Sequence, residues 1–237
     1  MNQQHFGFEI EETLYRKAQD AIQAIGAQPN AEQLNQQVAE ALVDITEVGF
    51  VAYYYKPSDM VTISSVVRKA ADSGIVAVKR GVHMVIRKLF KKMDPSELQK
   101  LASYMDALLV HEKTADGKRF YVAFNLSSEL FELAQELLAR VRQDPEIDGY
   151  RQNIIAALNK LIRAGVEAYY ETPSSMIKLG RVTRKTADLG ITTAEKGSNI
   201  VVKKLFKVMP HEALIPLSSY FESLLHSDLE SNSLQTP

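Results

Sequence analysis

Ala52-Tyr53-Tyr54-Tyr55-Lys56-Pro57-Ser58-Asp59-Met60 is matched, 116 positions further on, by Ala168-Tyr169-Tyr170-Glu171-Thr172-Pro173-Ser174-Ser175-Met176. The same shift lays Arg68-Lys69-Ala70-Ala71-Asp72-Ser73-Gly74-Ile75 on Arg184-Lys185-Thr186-Ala187-Asp188-Leu189-Gly190-Ile191. It also lays Lys88-Leu89-Phe90-Lys91-Lys92-Met93 on Lys204-Leu205-Phe206-Lys207-Val208-Met209. The likeness runs without a gap from Phe8 against Phe124 to Leu109 against Leu225, with about a third of positions identical. Repeats of a solenoid are far shorter, roughly 20–50 residues, so the pattern predicts one module copied in tandem. The units are read as residues 1–110 and 122–226. Residues 111–121, polar and without apolar period, are read as a linker, and residues 227–237 as a disordered tail.

Within a unit the apolar spacing is helical. Leu14, Ala18, Ala21, Ile22 and Ile25 recur at three and four, as do Leu34, Val38, Ala41, Leu42, Ile45, Gly49 and Ala52. Asn30 offers a cap for the second helix, with Gln33 at the capping-box position, and Pro57 should stop it. Ser58 is expected to cap a third helix running through Met60, Ile63, Val67 and Ala71. Asp94-Pro95-Ser96-Glu97 supplies cap, first-turn proline and acidic third position for a last helix through Leu98, Leu101, Tyr104, Leu108 and Leu109. Between them, Gly74 followed by Ile75 predicts a break or kink, because each helical glycine costs about 1 kcal/mol. The competing reading is one long helix whose Gly74 and Gly81, with Gly190 and Gly197 in the second copy, admit close helix packing. No segment reads as a sustained strand. The expectation is an all-α fold: two tandem copies of a four- to five-helix unit in a pseudo-twofold arrangement, meeting along the glycine stripes.

Composition bounds the chemistry. The 237 residues are 46% hydrophobic and 24% charged, with 11 Gly and 8 Pro, values of a folded globular chain. No cysteine is present, which excludes disulfides and thiolate chemistry and points to a cytoplasmic address. The N-terminus lacks a signal-peptide pattern, and no run approaches the roughly 20 apolar residues of a membrane span. A soluble protein is expected.

The net charge of −1 argues against a generic polyanion binder, yet acid and base alternate in blocks. Residues 1–60 are acidic, whereas residues 61–93 carry eight basic side chains against Asp72 alone. Residues 177–209 repeat that excess, with eight basic side chains against Asp188 and Glu195. Candidate anion- or partner-binding residues are therefore Arg68, Lys69, Lys88 and Lys91, with Arg184, Lys185, Lys204 and Lys207 in the second copy. Neutralisation by the acidic first helices is the plain alternative. A helix-turn-helix fits Ala70 and Gly74 but fails at Arg80, where an aliphatic is wanted.

Catalytic constellations do not emerge. None of the five histidines recurs at the equivalent position, and His211 lacks a partner at Ile215 to complete a zinc-protease pair. Glu222 and His226 find no matching pairs, and the glycine spacing lacks the residues of a phosphate loop. No metal, cofactor or enzymatic activity is expected. Tyr53, Tyr54, Tyr169 and Tyr170 recur in both copies and mark either packed tyrosines or a ligand pocket. The leading expectation is a non-enzymatic scaffold that binds a protein partner through charge-segregated helix faces, with self-association into a homo-oligomer open. The alternatives are a nucleic-acid or anionic-membrane binder using 79–92 and 196–207, and a small-ligand protein with a tyrosine-lined pocket.

Overall fold

The computed structural model describes residues 3–27, 32–62, 65–90 and 93–231. The Asn30 cap, Ile63, Lys91 and the part of the tail from 232 onward lie outside them. The chain runs β1 (His5–Ile10), α1 (Glu12–Ala27), α2 (Glu32–Phe50), α3 (Lys56–Asp59), α4 (Ser65–Phe90), α5 (Pro95–Leu108) and β2 (Leu109–Thr114). It continues through β3 (Gly117–Asn125), α6 (Ser128–Gln143), α7 (Arg151–Val166), α8 (Thr172–Ser175), α9 (Arg181–Val208), α10 (His211–Glu222), β4 (Leu225–His226) and β5 (Glu230–Ser231).

The fold is therefore α+β, not all-α. A five-stranded antiparallel sheet in the order β4-β1-β3-β2-β5 curls into a half-barrel against the helices. Residues 111–121 are not a linker but the body of a β2–β3 hairpin. Its tip turns at Gly117, whose φ of +136° only glycine adopts without strain. Part of the expected disordered tail, Glu230–Ser231, pairs with Val110 and His111 of β2. In β1 the alternation Phe6, Phe8, Ile10 turns three apolar side chains onto the helices, as a half-buried strand requires.

Pairing of β1 with β3 relates the two halves. Gly7 lies opposite Ala123, its own equivalent after a shift of 116, and the flanking pairs from His5–Asn125 to Glu9–Tyr121 map onto one another. Phe6 opposite Phe124 becomes Val122 opposite Phe8. A local twofold axis perpendicular to the sheet therefore passes through the Gly7–Ala123 pair. Room there is short: a methyl on Gly7 would overlap the Ala123 side chain.

β4 meets β1 as β2 meets β3. Leu225 faces Phe6 and His226 faces His5, and the equivalent pairs are Leu109 with Val122 and Val110 with Tyr121. The main buried cluster draws on both halves, and a smaller one gathers Val110, Tyr121 and Ala123.

The helices follow the apolar periods, with differences at two places. α1 buries Ala18, Ala21, Ile22 and Ile25, and α2 buries Leu34, Val38 and Ala41. Asp94 caps α5 by accepting from the Ser96 amide at 2.9 Å, ahead of Pro95 at the first helical position. The expected break at Gly74 is absent: α4 and α9 are continuous over 26 and 28 residues. Its cost is borne by apolar packing of α4 on α2 and of α9 on α7. Nor does Ser58 cap this helix, since it sits inside the short α3.

Before α3 and α8, the chain widens into π-helical turns, Val51–Tyr55 and Glu167–Glu171, at equivalent positions. Carbonyls in both turns are taken up by the opposite half. Tyr104 donates to Ala168 O and Tyr220 to Ala52 O, each at 2.7 Å.

Candidate functional site

α4 and α9 are equivalent under the 116-residue shift and pack on each other. Each presents one face to solvent. On α4 that face runs through Lys69, Ser73, Ala77, Arg80, Met84 and Arg87, spaced by three and four. On α9 it includes Lys185, Lys196, Lys203 and Lys207. Gly74, Gly81, Gly190 and Gly197 do not bring the helices together. A methyl group built at any of them meets nothing within 4 Å.

Acids on these helices are already engaged. Asp72 accepts from Tyr54 Oη at 2.9 Å and from Arg68 at 3.3 Å, and Asp188 accepts from Tyr170 Oη at 2.5 Å. Glu195 lies 3.7 Å from Arg163. Burial, followed by the neighbouring carboxylate, raises the Tyr54 and Tyr170 hydroxyls well above their ordinary range, so both remain donors.

The cations divide into two groups. Arg68 is structural: besides Asp72 it binds Asp59 at 2.6 Å and Ser58 O at 2.9 Å, tying the α3 turn to α4. Arg184 holds Ser174 O at 3.1 Å in the equivalent place. Lys79 is taken by Glu47 of α2 at 2.7 Å, which is the neutralisation expected from an acidic helix. By contrast, Lys69, Arg80, Arg87 and Lys88 are exposed and make no ion pair among the described residues. Arg181, Lys185, Lys196, Lys203 and Lys207 are likewise exposed and unpaired. Lys91 and the Lys204 side chain lie outside the description. Arg80, Arg87, Lys196 and Lys203 fall within the basic segments already identified, but spacing alone did not separate them from the paired cations.

The tyrosines are brought together as packing. Tyr53 Oη and Tyr169 Oη lie 3.2 Å apart, and Tyr53 stacks on Phe6 while Tyr169 meets Phe124 edge-on. Burial pushes both hydroxyls well above their usual range. Gly49 and Gly165 leave space on α2 and α7 for the Phe8 and Phe124 rings of this cluster. A cavity of about 30 Å³ and an open groove of about 420 Å³ are both lined by residues of the second half, and none of the four tyrosines lines either.

His83 sits on α4 with Nε2 3.4 Å from Glu47, and the other four histidines lie off both helices. His5 and His226 are cross-strand partners, His226 packs on the Tyr121 ring, and His111 sits 3.6 Å from Glu230. Burial lowers the pKa of all three below the ordinary histidine value. Tyr121 donates to Glu112 at 3.1 Å, and burial followed by that carboxylate pushes its hydroxyl up to about 12. His211 contacts Val141 O at 2.6 Å. Among the described residues no group of three His, Asp or Glu is placed to hold a metal ion, and no helix is long and apolar enough to cross a membrane. Comparison with protein families, curated proteins and solved structures finds no match to this chain.

Proposed function

We propose that the protein is a non-enzymatic binding module whose working surface is the solvent face of α4 and α9, and that its partner is anionic. One observation carries the reading: exposed cations without an ion pair among the described residues line both helices, while Asp72, Asp188 and Glu195 are held by other groups. Unpaired surface cations in rows raise the local potential and attract an extended anion. A protein partner with an acidic surface and a nucleic-acid backbone both satisfy that chemistry. A cytoplasmic location, resting on the cysteine-free composition, is part of the proposal.

Retention of the full chain on a heparin resin tests it. Wild type is expected to bind at about 50 mM salt, a regime of weak screening, and a variant carrying Arg80→Glu and Lys196→Glu should elute markedly earlier. Equal elution of the two proteins would refute the assignment of this face.

A further inference from the structure

Basic side chains on α4 recur on α9 at the same positions. Lys69, Arg80 and Arg87 correspond to Lys185, Lys196 and Lys203 after the 116-residue shift. All six are exposed, and none has an ion-pair partner among the described residues. Spacings of eleven and seven residues keep each trio on one line of its helix, since three and two helical turns, respectively, come close to these steps. Each line is about 27 Å long at 1.5 Å per residue. The helices touch, and they are equivalent under the symmetry whose axis crosses the sheet at Gly7 and Ala123.

We infer that these two rows are equivalent half-sites for the phosphate backbone of a double-stranded nucleic acid, an inference that rests on the anionic-partner reading above. A row of 27 Å matches about eight base-pair steps of 3.4 Å. Two rows related by a twofold axis suit a duplex, whose strands are themselves related by local twofold axes. Single strands are held chiefly by stacking on aromatic side chains, and the solvent face of α4 carries Ser73, Ala77 and Met84 between its cations, with no aromatic. Arg80 and Arg87 are replaced by Lys196 and Lys203 in the other half. A bidentate guanidinium contact to a guanine edge is therefore not duplicated, and charge alone is. Binding is accordingly independent of base sequence.

The test is fluorescence anisotropy of the full chain with a labelled mixed-sequence duplex of 24 base pairs, across a salt series. Neutralising about six phosphates predicts a log–log salt slope near −5. Three variants are compared, each checked for native circular dichroism: Arg80→Glu with Arg87→Glu, Lys196→Glu with Lys203→Glu, and all four together. Each double variant should lose affinity at least about tenfold and by similar factors, and the quadruple variant should not bind. Loss confined to one half would overturn the half-site assignment. Binding to polyglutamate or to vesicles of anionic lipid, with none to the duplex, would overturn the duplex and leave the anionic-partner reading standing. Binding to no polyanion would end both.

Discussion

Tyr53 and Tyr169 occupy the same position in the two halves of the chain, and their hydroxyls meet at 3.2 Å. They are equivalent in sequence but not in bonding. Tyr169 Oη also lies 3.4 Å from Val122 O, so the chain of donors runs from Tyr53 to Tyr169 to the β3 backbone.

That polarity predicts unequal losses. Tyr53→Phe leaves Tyr169 with an acceptor and should cost about 1 kcal/mol, the net worth of one hydrogen bond. Tyr169→Phe strands the Tyr53 hydroxyl beside Phe6 and Phe8 and should cost about 1–3 kcal/mol. Urea unfolding of the two variants checks the order, and equal midpoints would contradict the donor chain.

Gly7 and Ala123 face each other on the symmetry axis, and a methyl on Gly7 would meet the Ala123 side chain, Ala123 Cα and Val122 O. Gly7→Ala should destabilise by about 1–3 kcal/mol through overpacking. Ala123→Gly added to that variant should restore only part of the loss, because the new methyl would still lie 2.5 Å from Ala123 Cα and Val122 O. Thermal melts of the single and double variants decide the point.

The buried histidines set a direction for pH. His5, His111 and His226 have folded-state pKa values below the unfolded value near 6.5, so the unfolded chain binds their protons first. Their contribution is intact above that value and is lost as pH falls through it towards the folded values. Urea midpoints should drop between pH 7 and pH 5, and His226→Gln should flatten part of the drop.

Asp106 is buried on α5, and burial raises its pKa. Its equivalent, Glu222, is clasped by Arg142 at 2.6 and 2.8 Å, but position 26, where the matching arginine would stand, is Gly26. With the folded pKa raised, ionisation of Asp106 costs stability as pH rises past its unfolded value. Asp106→Asn should therefore gain about 1 kcal/mol at pH 7, or roughly 2–4 °C in Tm for a chain of this size. Calorimetry measures it, and a lower Tm would contradict the account.

Helices and the 116-residue offset were legible because apolar spacing and identical residues speak directly, as α1 and the Asp94 cap show. The sheet was not. Phe6, Phe8 and Ile10 do alternate, but over six residues such a run is outweighed by the helical periods that follow. The outer ends of β2 and β3 read as linker because Glu112 to Arg119 surround an exposed hairpin tip and carry little apolar signal. The break expected at Gly74 is absent because a local glycine penalty says nothing of the tertiary packing that keeps α4 continuous.

For the basic face, sequence located the segments but not the members. Arg68 and Lys69 are neighbours of equal charge, and only contacts with Asp59, Asp72 and Ser58 O show that the first is a brace. Lys69 is exposed and has no ion-pair partner among the described residues.

The strand that opens the described chain and the strand that follows its last helix lie side by side, in the alignment that a hairpin imposes on their counterparts. Of two equivalent seams, one is closed by Ala115 and Asp116, and from the other the chain runs on to β5 beside β2. The same alignment thus forms on one side across a two-residue turn and on the other between strands far apart in sequence, so it is set by the strands and not by the turn.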